Sequence, residues 1–514
     1  MRKFKKIWIA ILSFTLVVAV AAAAALIWSR WPKETVPQFF TSVNVQGSSA
    51  SEASGDNSVL HAGADAVTTA PHGYSVSTSN DTATQIGMSV LEAGGNAVDA
   101  AVAIAYILSV EEQSASGLGG SGGMLVYDPS TQECKFYDYR AAASSAEKYP
   151  GTIGIPGMVA GMEYVHDIYG SISMADLIAP AVYYAEQGSY TALAETLRTV
   201  QEGGAQAFYT GKIAEDVAGH SGITVEDMAN YQVYEYDALA IDYRGYTVYG
   251  ANAPMSGITV LQMLEMEELL DIPDPAEDPA NYINTLQDIT FAAYSDRKSI
   301  LGDPAYRNID LTEKLTSAYL LELLELDVAE MNDDEECPDT TSFSVVDANG
   351  LTVTATNTLT QFWGSGIVVD GFYLNNTNAN FTNQKINAYE PGKRSRTYSA
   401  PIIVTGEDGL VMAIGTPGGN NIPVVLFDVL LKLLKYDMDP QQAVTKARVI
   451  YSFGILTVEE GNDWLDTYEM HHTYAWRETG SWWGSISLAG YSDDTGAFAA
   501  FDSRRGATMA GVYN

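Results

Sequence analysis

The sequence predicts an α+β protein, on three observations. Apolar residues recur mainly at helical spacing up to about residue 326, and the chain switches at residue 340 to the alternation of strands. Of the 514 residues, 46% are hydrophobic and 11% aromatic, enough to bury a core of one large or two ordinary domains.

At the start, Arg2, Lys3, Lys5 and Lys6 precede a mostly apolar run from Ile7 to Trp28. That run reaches the roughly 20 residues that span a bilayer, and the basic end predicts that everything after it is exported. The small residues Ala21 to Ala25 also suit a cleavage site, so residues 1–28 read either as a signal anchor or as a removable signal peptide. Residues 29–57 are rich in Ser, Gly, Ala and Glu without apolar periodicity and read as a flexible tether.

The folded part follows. ATQIGMSVLEAGGNAVDAAVAIAYILSV predicts two packed helices broken at Gly-Gly. Gly117 through Gly123 then lead into a strand; without the Lys-Ser/Thr of a phosphate loop, or a strand immediately before them, they do not predict nucleotide binding. Helical patterns dominate from Gly157 to Asp271 and return at Asn284–Leu301 and Asp310–Leu326. LELLELDVAEMNDDEECPD, from Glu322 to Asp339 at its core, is an acidic run closed by a proline turn, as solvated segments are. Directly after it, TTSFSVVDANGLTVTATNTLTQF reads as a hairpin turned at Asp347-Ala348-Asn349-Gly350. A helix at Ile422–Leu434 and short β-like segments complete the chain.

Composition excludes several classes of function. A formal net charge of -37 repels a phosphate backbone, so no nucleic-acid partner is expected. Two cysteines, Cys134 and Cys337, cannot make a disulfide framework, and six scattered histidines show no metal-ligand spacing; neither metal nor cofactor is expected.

The junction at residue 340 carries the chemistry. A threonine hydroxyl is a weak nucleophile unless a base takes its proton, and a threonine that begins a chain can use its own α-amine for that. The amine's ordinary pKa of about 7.7–8.0 suits the task without any histidine. The bond from Asp339 to Thr340 would first have to break, through attack of the Thr340 hydroxyl on the preceding carbonyl. On its own, a Thr-Thr pair opening a strand is ordinary β structure.

DTTSFSVVDANGLTVTATNTLTQFWGSGI resembles the signature that opens the small subunit of γ-glutamyltransferases. AGGNAVDAAVA, SGLGGSGGMLVYD, IGIPGMVAG, PAVYYAEQG, YRGYTVYGANAPMSGITVLQMLE and AYSDRKSILGDP precede it in family order, and LNN, GKRSRTYSAP, GTPGGNN and AFAAFDSRRGATMAGVY follow it. The likeness runs from about residue 60 to 514. It implies an N-terminal-nucleophile hydrolase fold, a four-layer αββα sandwich autoprocessed into a large subunit (58–339) and a small catalytic one (340–514). By the same resemblance Thr340 is the nucleophile and Thr358 orients it. Gly418 and Gly419 supply the oxyanion hole, and Arg140 grips the α-carboxylate of a γ-glutamyl donor. Water or an amine would be the acceptor.

The donor pocket departs from the family. Thr377 stands for an acid or amide, Asn380 for the aspartate that pairs with the donor's ammonium, and Thr360 for another group that binds it. Thr397-Tyr398 replaces a Ser-Ser pair that helps hold the carboxylate, and Ser342 replaces a histidine. An ammonium buried without a carboxylate is costly. Either another acid reaches the site, or the natural donor is acylated or internal to a polymer. Only eleven residues separate Phe381 from Lys393, where family members with a lid carry a longer loop. The site is therefore expected to be open, suited to bulky donors and to hydrolysis as well as transfer. A neighbouring branch of the family depolymerises poly-γ-glutamate; that activity, a related acylase, and an inactive surface binding module are the alternative expectations.

Overall fold

In the computed structural model, residues 73–147, 151–326, 339–407, 409–452, 454–462, 474–505 and 509–513 are described. The N-terminal basic-apolar segment, the tether at 29–57 and most of the acidic run before Thr340 lie outside them. No helix among the described residues is long and apolar enough to cross a membrane.

Eight strands appear in the first three quarters: β1 (Tyr74–Thr78), β2 (Ser121–Asp128), β3 (Glu133–Tyr139), β4 (Tyr234–Asp237), β5 (Leu239–Tyr243), β6 (Tyr246–Gly250), β7 (Asp339–Val346) and β8 (Thr352–Thr360). A short hairpin, β9 (Val368–Val369) and β10 (Phe372–Tyr373), precedes β11 (Ile402–Thr405) and β12 (Val411–Gly415). A small outlying sheet holds β13 (Val449–Ser452), β14 (Ile455–Glu459) and β15 (Tyr474–Arg477), and the chain closes with β16 (Ser487–Ser492), β17 (Gly496–Ala500) and β18 (Met509–Tyr513).

Two antiparallel sheets stack face to face. The first has the order β18-β1-β7-β8-β2-β3-β4 and the second β17-β16-β12-β11-β6-β5. Their inner faces meet through Leu125, Phe136, Val346, Ile403 and Ala413. Helices Asp81–Glu92, Ala97–Glu111 and Met158–Tyr169 cover the outside of the first sheet, and Gly257–Leu270, Pro279–Ile300 and Ile422–Leu430 pack outside the second. This is the expected four-layer αββα sandwich, and the β7–β8 hairpin lies at its centre.

Local chemistry explains the elements around that hairpin. Helix Ala97–Glu111 starts at Asn96, whose side chain accepts from Val98 and Asp99 N–H while Asp99 accepts from Asn96 N–H, a reciprocal cap. Fourteen of its residues are buried, because it lies between the sheet and other helices. Its first N–H, at Ala97, donates to the buried Asp347 carboxylate 3.0 Å away, which also accepts from Asn349 and Leu351 in the hairpin turn. The turn is thereby fixed to a helix N-terminus, where negative charge is favoured.

Two expectations need adjustment. The stretch from Gly157 to Asp271 is not helical throughout: β4, β5 and β6 occupy its middle. Tyr, Val and Ile alternate there, and Arg244-Gly245, both at positive φ, reverse the chain. The expected helix Ile422–Leu434 is α-helical to Leu430 and continues as a π-turn over Leu431–Lys435.

Candidate active site

Thr340 sits on the second residue of β7, 5% exposed. Asp339 pairs with Thr360 and Thr341 with Asn357, so the single residue Thr340 faces both Thr358 and Leu359 of β8. This bulge re-aims the strand end. It releases the backbone of Leu359 to other partners, Ala115 O at 2.8 Å and Asn376 N–H at 3.2 Å.

From the nucleophile position a series of polar contacts runs through most of the expected donor residues. Thr340 Oγ1 donates to Thr358 Oγ1 at 3.4 Å, and Thr358 Oγ1 accepts from Thr360 N–H at 2.7 Å. Thr360 and Thr377 share a hydroxyl–hydroxyl bond of 2.9 Å. Ser395 Oγ donates to Thr377 O at 3.0 Å, and Ser395 O in turn accepts from Arg140 Nε at 3.2 Å. Arg140 is fully buried, and its Nη2 reaches Arg396 O at 3.4 Å. Thr360 holds φ at +82°, a strained conformation for a threonine, fixed by these contacts on both sides.

Asn380 closes the turn that Thr377 opens, and its carbonyl accepts from Asn387 Nδ2 at 2.7 Å. Thr397 Oγ1 contacts Ser399 Oγ at 3.3 Å, and the Tyr398 ring lies under the Arg297 guanidinium, 3.4 Å from its centroid, in the core beneath helix Pro279–Ile300.

Gly418 and Gly419 follow β12, which crosses over β7 and β8; Gly415 at its end packs against Ser342. Their φ angles of +143° and +57° suit glycine. Among the described residues neither N–H has a hydrogen-bond partner. The segment leads through a 3-10 turn into helix Ile422–Leu430, so both N–H groups stand at a helix N-terminal end, where an oxyanion is favoured.

Three residues at the site were not singled out by the sequence. Arg505 donates from Nη1 to the Thr340 carbonyl. It follows directly on a buried charge network in which Arg448 reaches Asp502 at 2.5 Å and Arg504 reaches Glu459 at 2.6 Å. Burial works against ionising Asp502, but Arg448 and Arg504 hold its carboxyl below the usual range. Ser395, inside GKRSRTYSAP, joins Thr377 to Arg140. Glu112, at the end of helix Ala97–Glu111, accepts from Thr341 Oγ1 at 2.6 Å and from Ser79 Oγ at 2.5 Å, fixing the residue after the nucleophile. The arginine and the serine act on or through backbone carbonyls, which carry no sequence signature. Glu112 is one half of an unremarkable Glu-Glu pair.

A four-layer αββα sandwich with a threonine on a central strand beside a second threonine defines the class of N-terminal-nucleophile hydrolases. The chain belongs to the γ-glutamyltranspeptidase family, whose family model matches residues 83–192 and 189–512. The capsule biosynthesis protein CapD proenzyme of Bacillus anthracis is 38% identical over 400 residues, spanning 70% of this chain and 75% of that protein. A glutathione hydrolase proenzyme of Pseudomonas aeruginosa is 29% identical over 465 residues, 73% of this chain and 82% of that one. The crystal structure of cephalosporin acylase from Bacillus halodurans superposes with a TM-score of 0.77 over 89% of this chain and 99% of that chain; at 21% identity it speaks to the fold alone. The protein is thus a γ-glutamyltransferase-like enzyme of the N-terminal threonine type.

Proposed function

We propose that the chain is exported by its N-terminal segment, cuts itself between Asp339 and Thr340, and then transfers or hydrolyses γ-glutamyl amides at an open site. In the cut, Thr340 Oγ attacks the Asp339 carbonyl carbon, the scissile nitrogen leaves to become the α-amine, and water hydrolyses the resulting ester. In turnover the amine takes the Thr340 hydroxyl proton as Oγ attacks the donor's γ-carbonyl, and Gly418 and Gly419 N–H stabilise the oxyanion. The departing amine collects the proton. Water or an acceptor amine then releases the acyl group from Thr340.

Arg140 takes the donor's α-carboxylate in this reading, its guanidinium steadied by the carbonyls of Ser395 and Arg396. Where an ammonium would lie, Thr360 and Thr377 hydroxyls bond each other, an uncharged pair. That favours a donor without a free ammonium there: an acylated glutamyl unit, or one inside a polymer.

The observation that carries the reading is the Thr340–Thr358 hydroxyl contact at a bulged strand end. A denaturing gel should show two fragments from the wild type and one from Thr340→Ala, with mass spectrometry finding a chain that starts at residue 340; an intact wild type would remove the enzyme reading. For the donor, kcat/KM on an N-acyl-γ-glutamyl anilide should exceed that on the free-amine anilide, and a strong preference for the free amine refutes this part.

A further inference from the structure

Each N–H given above to the oxyanion belongs to a peptide whose other end is a carbonyl: Pro417 C=O with Gly418 N–H, and Gly418 C=O with Gly419 N–H. A trans peptide is planar and its two polar ends point opposite ways, so whatever holds the carbonyl also aims the N–H. Both carbonyls are held. Thr416 Oγ1 donates to Pro417 O at 2.7 Å, and Asn421 N–H donates to Gly418 O at 3.1 Å. The second anchor is backbone of the 3-10 turn Gly419–Asn421. The first is a side chain, and can be removed alone.

These peptides need an anchor because glycine flanks them. With φ at +143° and +57°, Gly418 and Gly419 lie where glycine moves freely, and a peptide between such residues can turn over at little steric cost. Turned over, the Pro417–Gly418 peptide would present a carbonyl oxygen to a developing negative charge in place of a donor, the reverse of what an oxyanion requires.

The Thr416 hydroxyl is itself oriented. It is 1% exposed and accepts from Ser485 N–H at 3.0 Å, so its single proton is directed to Pro417 O. Ser485 comes this close because Gly484 precedes it: a Cβ there would lie 2.5 Å from Thr416 Oγ1 and 2.7 Å from Pro417 O. Ser485 is then seated on the buried charge network. Its Oγ donates to Asp502 O at 3.2 Å, and Ile486 N–H donates to Asp502 Oδ2 at 2.9 Å. Asp502 is the carboxylate paired with Arg448 and Arg504. A continuous series of short contacts therefore leads from these fixed charges to one peptide plane.

We propose that Thr416 is a positioning residue for catalysis: its hydroxyl, set by Ser485 N–H, locks the Pro417–Gly418 peptide with Gly418 N–H turned to the oxyanion. Thr416 acts on the backbone and not on the donor. The proposal rests on the oxyanion role given above to Gly418 and Gly419.

The test uses the full self-cleaved protein and a γ-glutamyl anilide, with rates normalised to the amount of chain that starts at residue 340. Thr416→Val keeps the shape and loses the hydroxyl. It should lower kcat by roughly tenfold to a hundredfold, less than the 10²–10³ typical of losing an oxyanion donor outright, and leave KM within about twofold. Thr416→Ser keeps the hydroxyl and should restore most of the rate. A boronic acid that replaces the donor's γ-carbonyl and forms a tetrahedral adduct with Thr340 should bind the valine variant more weakly by about the same factor as kcat falls. Near-UV circular dichroism certifies each fold, and Thr416→Ala is measured alongside as a second variant without the hydroxyl. Unchanged kcat in the variants lacking it, an equal loss in the serine variant, or a loss confined to KM overturns the positioning role alone. A wild type inactive on every γ-glutamyl compound overturns it together with the reading it rests on.

Discussion

Thr358 Oγ1 accepts from Thr360 N–H at 2.7 Å, and the Thr340 hydroxyl reaches it at 3.4 Å, long for O–H···O bonds that cluster near 2.7–2.8 Å. Asp339 pairs with Thr360 at the strand end, and Arg505 and the Glu112–Thr341 bond keep the backbone of Thr340 in register. On the proposed mechanism Thr358 orients the attacking oxygen, an effect felt in rate more than in binding. Thr358→Val should lower kcat by roughly 10²-fold with little change in KM, and slow self-cleavage, whereas Thr358→Ser should retain most activity. Steady-state kinetics on a γ-glutamyl anilide and a gel time course give the two readings. Full activity in the valine variant would mean that the hydroxyl contact is incidental.

Helix Gly257–Leu270 packs on β5 and β6 and buries its apolar residues from Ile258 to Met266, drawing Glu265 partly into the same environment. Burial, then Glu268 and Asp242, raise the Glu265 carboxyl from its ordinary value near 4.5 to about 7. The folded state thus holds this proton more tightly than the unfolded chain does. Its stabilising effect is complete below pH 4.5 and is lost as pH rises through about 7. Glu265→Gln should accordingly stabilise at pH 8 by about 1 kcal/mol, a value discounted for the solvent that still reaches the group, and by much less at pH 5. Denaturant midpoints of both proteins at the two pH values provide the check; an equal gain at both would place the effect in packing. The same element scale shows what the sequence could convey. The β7–β8 hairpin was legible because its apolar residues alternate and Asp-Ala-Asn-Gly makes the turn, whereas the helix expected from Asn284 begins earlier, at Pro279, under a cap from Asp278. The strands from Tyr234 to Gly250 were obscured by their flanking helices. The bulge at Thr340 was not legible, since it depends on how β8 meets Ala115 and Asn376, both remote in sequence. At the site, Thr340, Thr358 and Arg140 were singled out through family likeness alone, whereas the contacts of Ser395 and Arg505 run through carbonyls placed only by the fold.

At the scale of the whole molecule, the proposed cut before Thr340 would decide what the mature protein is. Residues before 340 contribute β1 through β6 and residues after it β8 through β18, with β7 starting at the junction. In the first sheet β1 is hydrogen-bonded on one side to β18 and on the other to β7, and β2 to β8; in the second, β6 pairs with β11. Four strand junctions therefore cross from one product chain to the other. So do the buried Asp138–Arg394 pair at 2.6 Å, the Glu112–Thr341 bond and the carbonyl contacts of Arg140. The apolar core outside the second sheet draws equally on Val260, Leu264 and Ile289 from the first product and Leu426, Phe427 and Leu488 from the second. Neither product retains a complete core, so neither is expected to persist folded alone. The cleaved protein should elute from gel filtration as one species containing both chains, and separate only across the denaturant range in which tertiary signals are lost. Chains that part at denaturant concentrations leaving those signals intact would mean that the sheets are not shared as this topology requires.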